Sequence, residues 1–320
     1  MSHGLLDLKN KINEISQHVV DKNNCVLIDY PFYFNVGDLL IFKGTLAYFE
    51  QAGIQLKAAY SLKSYSTKKL KKHVDAQTTI FLQGGGNFGD LYPAHQKIRE
   101  TIIANFPNNK IILLPQSVCF ESEIAQQRSA EIFKQHPNVV LFARDEISLK
   151  ILKQFSTQTF LMPDMAHYLY GIINTHQIEP QHEVLYFFRQ DKEQNPAQEL
   201  YLKHNPVESI DWENLIDAED MQLHRKLRKH LKWGFILPEK QVDEYVYQAW
   251  SKRCDKIIEH TCKLFLSHQR VVTSRLHAHI LSSILEIPST ILDNSYKKNS
   301  LYFASWTSQL DIHELAQPAT

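Results

Sequence analysis

The apolar and polar positions of the first half of the chain alternate between two patterns. Short apolar runs, typical of strands buried on both faces, are separated by longer segments with the spacing of amphipathic helices. The predicted strands are 25–30, 78–83, 110–115, 138–143 and 159–162. The predicted helices are 39–52, 94–106, 121–135 and 146–155. Strands that alternate with helices in this way indicate a parallel sheet covered on both faces.

The second half repeats this order after a break near residues 171–180. The predicted strands are 183–188, 270–274 and 289–293, the predicted helices are 256–266 and 276–285, and a polar, mostly helical stretch covers about 190–250. The sequence therefore predicts two α/β domains, residues 1–175 and 176–320, with a C-terminal segment that could cross back to the first. Two such domains facing each other bind ligands in the cleft between their strand ends.

Charge and composition narrow the classes of partner. Among 320 residues, Lys plus Arg and Asp plus Glu both count 35, so the formal charge is zero. A neutral chain has no general attraction to nucleic acid, and an anionic substrate must be held by a local group of cations. The sixteen histidines and four cysteines show no metal-ligand spacing, so no metal site is expected. The cysteines are expected to be free thiols in a reducing cytoplasm.

The first residues and the hydropathy of the chain show no pattern that predicts export. The first fifteen residues have the pattern of an amphipathic helix, not of a signal peptide, and no run of 18 apolar residues occurs. A cytoplasmic location is therefore expected.

Residues Gly84–Asp90, with the sequence GGGNFGD, formally match the dinucleotide fingerprint G-x-G-x-x-G. That fingerprint also requires an acidic residue after the next strand, where this chain has Pro115-Gln116-Ser117 instead. NAD binding is therefore disfavoured. The glycines indicate either a turn with positive φ or close approach of a ligand to the backbone.

Polar residues follow several predicted strand ends of the first half. Asn35–Asp38 follow the first strand, although a helix N-cap explains Asn or Asp there equally well. The others are Asn87, Asp90, Gln116, Ser117 and Asp164. Because parallel strands end at one edge of a sheet, these side chains are expected to converge and could bind sugar hydroxyls.

The second half carries a cationic group around Thr273–His279, with the sequence TSRLHAH. A helix start attracts carboxylate or phosphate, Arg275 can bind such a group through two hydrogen bonds, and His277 can exchange a proton with it. The structural alternative is that Ser274 caps the helix, Arg275 forms a surface ion pair and His277 packs. Arg189 follows the strand 183–188 and adds a cation to the same edge.

At these residues the chain resembles the polysaccharide pyruvyl transferase family. The matching motifs occur in order over most of the chain. They are Asn35–Asp38, Gly84–Asn87, Pro115–Ser117, Ala143–Asp145, Pro163-Asp164, Phe188-Arg189, Ser274–His277 and Asp293–Tyr296. The resemblance implies two Rossmann-like domains in a glycosyltransferase-B-like arrangement, with parallel sheets facing across a cleft. It also implies phosphoenolpyruvate as donor and a cyclic pyruvate ketal on a glycan sugar as product, in exopolysaccharide or cell-surface polysaccharide biosynthesis.

The resemblance also assigns roles to residues. It implies that Arg275 and His277 serve catalysis, and we add Asp38 or Asp90 as a candidate base. The expected donor-binding residues are Arg189, Ser274, Arg275, His277 and Lys298. Lys297 stands where the family often has a glycine. The expected acceptor-binding residues are Asn35, Gly37, Asp38, Gly85, Gly86, Asn87, Asp90, Gln116 and Ser117.

Two other functions remain open from the sequence: a glycosyltransferase of the same architecture that uses a nucleotide sugar, and a non-catalytic glycan-binding assembly protein. The expected partners are phosphoenolpyruvate, with no other cofactor, and a glycan or lipid-linked sugar acceptor. Homo-oligomer formation is left open. The basic segment 224–233 predicts either a solvated helix docked on the second domain or contact with the inner membrane face.

Overall fold

The computed structural model describes residues 3–173, 178–190, 196–233, 239–293 and 297–316. It confirms an α/β protein with parallel sheets. The seven-stranded sheet contains β1 (Cys25–Ile28), β2 (Leu56–Tyr60), β3 (Thr79–Leu82), β4 (Gly85–Phe88), β5 (Lys110–Val118), β6 (Val139–Ala143) and β7 (Thr159–Leu161). The four-stranded sheet contains β8 (His182–Phe187), β9 (His268–Thr273), β10 (Ser289–Ile291) and β11 (His313–Leu315).

Helices cover both sheets. In the first half these are α1 (His3–Ile12), α2 (Val36–Ala52), α3 (Thr67–Leu70), α4 (Pro93–Asn105), α5 (Glu123–Lys134) and α6 (Glu146–Leu152). In the second half they are α7 (Pro196–His204), α8 (Ala218–Trp233), α9 (Glu239–Leu266), α10 (Leu276–Ile284) and α11 (Lys298–Tyr302). Short 3₁₀ segments lie at Asn13–His18, Met165–Leu169 and Trp212–Leu215. Within the described residues, none of the helices combines the length and the apolar composition that a membrane span requires.

The strand order places a ligand crevice in the first sheet. The order is β2-β1-β3-β5-β6-β7, with β4 beside β5. Since β2 lies on one side of β1 and β3 on the other, the chain changes direction at β1, and the carboxyl ends of β1 and β3 open a crevice. The second sheet has the order β11-β10-β9-β8.

Three strands were missed by the sequence pattern for identifiable reasons. Two of them, β2 and β11, are edge strands with partly exposed residues and lack a continuous apolar run. The third, β4, begins with two glycines, which weaken any strand pattern. Three of the predicted strands, β1, β3 and β6, are buried along their whole length, which is the pattern that parallel sheets produce.

Apolar packing joins the two halves. Along the first sheet, alternate residues face opposite layers: Val26 belongs to the core under α4 to α6, whereas Leu27 faces the core under α2. The core that contains Leu27 continues without a break into the second sheet, through residues such as Leu185 and Val271. The loops that carry the polar residues at the strand ends are therefore held in fixed positions relative to each other.

Helix α9 is longer than predicted. The sequence pattern placed a separate helix at 256–266 after a polar, mostly helical stretch, but one helix runs from Glu239 to Leu266. No glycine or proline interrupts residues 239–266, and the first part looked like a polar stretch because much of its surface is exposed. This first part packs on the other half of the chain: Trp250 Nε1 donates to the Pro31 carbonyl at 2.6 Å, and Lys43 pairs with Asp255 at 2.8 Å.

The C-terminal segment also reaches the first half. The Tyr302 hydroxyl accepts a hydrogen bond from the Asp164 backbone N–H at 2.9 Å, and Trp306 Nε1 donates to the Arg144 carbonyl at 2.8 Å. The predicted domain boundary at residues 175 and 176 lies outside the described residues. All four cysteines are free thiols, as predicted.

Candidate active site

A cavity of about 320 Å³ lies where the carboxyl ends of the two sheets meet. From the first half it is lined by Tyr33, Asn35, Asp38, Gly86, Asn87, Tyr92, His95 and Arg144. From the second half it is lined by Arg189, Trp212, Arg275, Leu276, His277, Lys298 and Asn299. A cleft of this size with several convergent polar groups is the usual form of a small-molecule site.

One buried carboxylate organises the centre of this cavity. Asp164 Oδ2 lies 2.5 Å from Arg144 Nη1 and 3.4 Å from His277 Nε2. Arg144 follows β6 in the first sheet, whereas His277 lies in the first turn of α10, which follows β9 in the second. The carboxylate therefore joins a cation and an imidazole from the two halves.

The charge of Asp164 is stabilised by these neighbours. Burial alone would raise the pKa of this carboxyl, but His277 and Arg144 outweigh burial and hold its pKa well below the usual range. The Ala166 N–H also donates to it at 2.9 Å. Asp164 is thus ionised at neutral pH and can orient both partners.

The position of His277 depends on a glycine in the facing half. Arg275 is the N-cap residue of α10, and its N–H donates to Thr273 Oγ1 at 2.9 Å, which fixes the path from strand to helix. The His277 ring then packs against Gly37 of α2, where an added Cβ would lie 2.7 Å from His277 Nδ1. Gly37 therefore permits close approach of the ring and lies behind the cavity wall.

Arg275 is held by a second buried carboxylate. Its Nε donates to Asp211 Oδ1 at 2.8 Å, and its Nη2 pairs with Asp211 Oδ2. Both side chains are almost fully buried. The ion pair that the sequence allowed is therefore real, but it lies in the cavity wall and not on the surface. This ion pair fixes the plane of the Arg275 guanidinium, which borders the cavity.

Arg189 and Lys298 complete the cationic side. Arg189 follows β8, and its backbone N–H donates to Ser274 Oγ at 3.0 Å. Lys298 begins α11 after Lys297, whose φ of 55° is the left-handed conformation that glycine adopts readily. Lys297 thus adopts a backbone conformation that suits the glycine often found at this position in the family, and Lys298 lines the cavity. Asn294–Tyr296, the rest of that motif, lie outside the described residues.

The facing wall is formed by the start of α2. The Asn35 side chain accepts the Gly37 N–H at 3.1 Å, so Asn35 is the N-cap of α2 and also lines the cavity. Tyr33 donates to Asp38 Oδ2 at 3.1 Å. Burial raises the pKa of Asp38, although His277 partly opposes this effect. A carboxylate with a raised pKa is a better proton acceptor than an exposed one.

The glycine-rich segment forms part of the wall as a strand. Gly85, with φ of 136°, and Gly86 begin β4, which pairs with β5. A Cβ on Gly86 would lie 3.1 Å from Arg144 Nη2, so the absence of a side chain lets this guanidinium approach. Asn87 lines the cavity and is held by Arg99, whose Nη1 donates to the Asn87 carbonyl at 2.9 Å.

Besides Gly37 and Gly85, four residues expected at the ligand lie outside the cavity lining. Gln116 and Ser117 were placed after a strand, but β5 continues to Val118 because β4 pairs with it. Gln116 Nε2 donates to the Gln83 carbonyl, and Ser117 Oγ accepts from Arg144 Nε at 3.0 Å. These two residues therefore support the wall from within the sheet.

Asp90 and Ser274 are the other two. Asp90 accepts the N–H groups of Glu121 and Ser122 and thereby fixes the start of α5. Ser274 is buried and donates to Gln198 Oε1, so it neither lines the cavity nor caps α10 through its side chain. His279 is buried and bonded to Ser289 and Thr307, so its side chain points away from the cavity.

The structure adds residues that the sequence did not assign to the site. Arg144 was noticed only as part of a family motif, although its place after β6 was a usable signal. His95 was not noticed at all: it lines the cavity from α4, and its Nδ1 lies 2.7 Å from Asp29 Oδ2. Asp29 follows β1 with φ of 70°, a strained conformation for a non-glycine residue that no sequence pattern indicates.

Comparison with known proteins identifies the family. A model of the polysaccharide pyruvyl transferase family matches residues 35–296. "Putative pyruvyl transferase EpsO" of Bacillus subtilis is 36% identical over 99% of this chain and 96% of its own length. "Pyruvyl transferase 1" of Schizosaccharomyces pombe is 27% identical over 88% of this chain and 69% of its own length.

A solved structure shares the fold. An uncharacterised protein of Klebsiella pneumoniae superposes with a TM-score of 0.58 at 18% identity, over 99% of this chain and 100% of that one. The family model and the Bacillus relative cover nearly every motif that forms the cavity. The chain therefore belongs to the polysaccharide pyruvyl transferase family.

Proposed function

We propose that this protein transfers a pyruvyl group from phosphoenolpyruvate to two hydroxyls of a glycan sugar, with formation of a cyclic ketal and release of phosphate. The product would belong to an exopolysaccharide or another cell-surface polysaccharide. The observation that carries this proposal is a cavity with three arginines, a lysine and a histidine on one side and a carboxylate-bearing wall on the other. Family membership supports pyruvyl transfer in polysaccharide biosynthesis.

The donor fits the cationic side. Phosphoenolpyruvate carries a carboxylate and a phosphate, and arginine binds both groups through paired hydrogen bonds. Arg144, Arg189, Arg275 and Lys298 border this side. The carboxylates of Asp164 and Asp211 lie behind Arg144 and Arg275 and fix the direction of their guanidinium groups. We therefore assign the donor to the second half plus Arg144, and the acceptor to the first half, as in a glycosyltransferase-B-like arrangement.

The chemistry needs one proton donor and one proton acceptor. His277 protonates the methylene carbon of the donor, which makes the adjacent carbon electrophilic. The first sugar hydroxyl adds to that carbon and loses its proton to Asp38. The bond from this carbon to the phosphate oxygen then breaks, and the second hydroxyl closes the ketal while its proton leaves with phosphate. Arginine charge stabilises the negative charge that develops on the leaving phosphate.

The proton-transfer roles rest on position. His277 lies between Asp164 and the ligand space, and an imidazole can donate or accept a proton near neutral pH. Asp38 lines the opposite wall, and burial raises the pKa of this carboxyl, which favours proton uptake from a hydroxyl. As written, the reaction needs phosphoenolpyruvate as its only co-substrate.

Phosphate release tests the proposal. Purified protein is incubated with phosphoenolpyruvate and a panel of glycan acceptors, and phosphate and the ketal are measured. We expect His277→Ala to reduce turnover at least about a hundredfold, with Asp38→Asn reducing it while phosphoenolpyruvate still binds. Phosphate release by His277→Ala at the wild-type rate would remove His277 from the role of acid.

Thermal-shift titration separates this function from nucleotide-sugar transfer. Phosphoenolpyruvate should raise the melting temperature of the wild-type protein, because a ligand that binds only the folded state stabilises it. Nucleotides and nucleotide sugars should not. The reverse result would favour a glycosyltransferase, and binding of glycan without any phosphate release would favour a non-catalytic role.

A further inference from the structure

We propose that α8 binds the anionic surface of a membrane through a row of five cations and so places the cavity beside membrane-anchored glycans. The row consists of Arg225, Lys226, Arg228, Lys229 and Lys232, and we call it the cationic face of α8. It lies outside the site described above. The choice of a membrane as partner rests on the proposed function, whereas the binding itself can be measured without any activity.

The apolar side of α8 is already used for packing. Leu223, Leu227 and Leu231 form one stripe at helical spacing, and all three pack into the core that joins the two sheets. Leu227 is completely buried. Among the α8 residues whose side chains the structure describes, Met221 is the one large apolar residue left exposed, so contact would be made mainly with lipid headgroups.

The outer side of α8 carries a single sign of charge. Between residues 225 and 232, every exposed residue is Lys or Arg. The acidic residues at the start of the helix do not neutralise them, because Arg253 of α9 binds Glu219 and Asp220. Among the residues that the structure describes, none forms an ion pair with the cationic face. Five positive charges thus face solvent on a protein whose formal charge is zero.

The helix is anchored next to the cavity wall. The His224 ring lies 4.6 Å from the Phe32 ring and 4.9 Å from the Phe34 ring, and its Nε2 lies 3.2 Å from the Phe32 carbonyl oxygen. Tyr33 and Asn35, on the same short loop, line the cavity. A surface that bound α8 would therefore lie close to the wall to which we assign the acceptor.

This position favours a membrane over other polyanions. A glycan attached to a lipid is presented at a membrane surface, so binding there would bring the acceptor wall to its substrate. A short row of lysine and arginine on a helix is the usual feature that attracts anionic lipids. Nucleic acid could be attracted by the same charges, but nothing in the proposed reaction would use it.

Vesicle sedimentation tests the proposal. The full chain is mixed with vesicles of phosphatidylcholine alone or of phosphatidylcholine with phosphatidylglycerol, at low and high salt. We expect binding only to the anionic vesicles, and weaker binding at high salt because exposed charges are screened. Changing all five cations of α8 to Gln should weaken binding at least about a hundredfold, since each contributes several-fold. Its phosphate release with a soluble acceptor should match the wild-type rate.

A matched control variant distinguishes binding through the cationic face of α8 from an effect of net charge. In this variant five exposed cations near α4, α5 and α6 become Gln: Lys97, Arg128, Lys134, Lys150 and Lys153. It has the same net charge as the α8 variant and should bind anionic vesicles like the wild-type protein. The proposal is overturned if the wild-type protein does not bind anionic vesicles, or if both variants lose vesicle binding equally. It is also overturned if a duplex DNA oligonucleotide binds as tightly as the vesicles. Vesicle binding without any pyruvyl transfer would overturn only the proposed function.

Discussion

His277 Nε2 lies 3.4 Å from Asp164 Oδ2, although the two residues come from different sheets. The same carboxylate oxygen holds Arg144, so one buried charge fixes a donor-side imidazole and a guanidinium together. Because each half supplies only part of this group, the site exists only when both sheets are packed on each other. The continuous core between the sheets, and α9 across them, thus contribute to function as well as to stability.

We expect Asp164→Asn to reduce turnover about a hundredfold while the fold is retained. The amide keeps the size of the side chain but removes the charge that orients Arg144 and His277. Loss of the negative charge also disfavours the protonated imidazole, so the alkaline limb of the pH profile of kcat/KM should move to lower pH. Both effects are measured by steady-state phosphate release between about pH 5 and 9, which covers the range over which histidine titrates.

Asp211→Asn is the matched control for this prediction. It also removes a buried carboxylate that binds an arginine of the cavity, but Asp211 pairs with Arg275 and not with His277. We expect it to raise the KM for phosphoenolpyruvate and to leave the alkaline limb in place. An equal shift of that limb in both variants would mean that the effect arises from general loss of negative charge.

Gly37→Ala should destabilise the protein, although alanine is the better helix former by about 1 kcal/mol. The new Cβ would lie within 2.8 Å of three His277 atoms, and the ring has little room to move because Asp164 and Arg144 hold it from the other side. We expect a loss of about 1–3 kcal/mol in the free energy of unfolding, as for other overpacked sites. Urea denaturation measures this free energy.

A double-mutant cycle shows whether the contact with His277 causes this loss. In the background of His277→Gly, the atoms that an alanine at position 37 would meet are absent. Gly37→Ala should then be neutral or stabilising, because only helix propensity remains. A loss of the same size in both backgrounds would assign the cost to another neighbour.

The sequence predicted the layered part of the fold because buried parallel strands leave continuous apolar runs. It missed β2 and β11, which lie at sheet edges, and it divided α9 between a polar, mostly helical stretch and a separate helix at 256–266. No local sequence pattern determines the pairing of β2 and β11 or the full length of α9. Edge pairing and the packing of a long helix across two sheets are decided by contacts between residues far apart in the chain.

The candidate site was predictable where a residue directly follows a strand. Arg189, Arg275 and His277 were located by that rule, and the structure brings all three to one cavity. Gln116 and Ser117 were misplaced because pairing with β4 lengthens β5, a tertiary effect. His95 and its partner Asp29 were missed since they lie 66 positions apart in the sequence, and only the fold makes them neighbours.

Acid should destabilise the protein through two histidines of the interior. Burial lowers the pKa of His167 to about 4 and that of His313 to about 4. An unfolded chain would bind these protons near the ordinary histidine pKa of about 6.5. Since the unfolded state takes up more protons between these values, stability is present above pH 6.5 and falls as the pH approaches 4.

The His313→Gln variant checks this prediction against the general effect of carboxylates. Both His313 ring nitrogens lie 2.9 Å from serine hydroxyls, those of Ser283 and Ser289, and an amide can replace such hydrogen bonds in part. The free energy of unfolding is measured by urea denaturation at about pH 7.5, 5.5 and 4.5, values on both sides of the ordinary histidine pKa. As the pH falls, this free energy should decrease less steeply for the variant than for the wild-type protein. Parallel curves would exclude His313 as a source of the acid sensitivity.

Lys297→Gly should stabilise the protein without changing its activity. Lys297 has φ of 55° and ψ of 23°, and its side chain is exposed. A left-handed conformation costs a non-glycine residue about 1–2 kcal/mol, and glycine removes this cost. Glycine also gives the unfolded chain more conformational freedom, which offsets part of the gain, so the free energy of unfolding should rise by about 1 kcal/mol. Lys297→Ala removes the same side chain but keeps the unfavourable conformation, so it should give no gain. Denaturation midpoints of the wild-type protein and the two variants measure these differences in stability, and phosphate release shows whether Lys298 still functions. Equal stability of the Gly and Ala variants would mean that the backbone at this position is not strained.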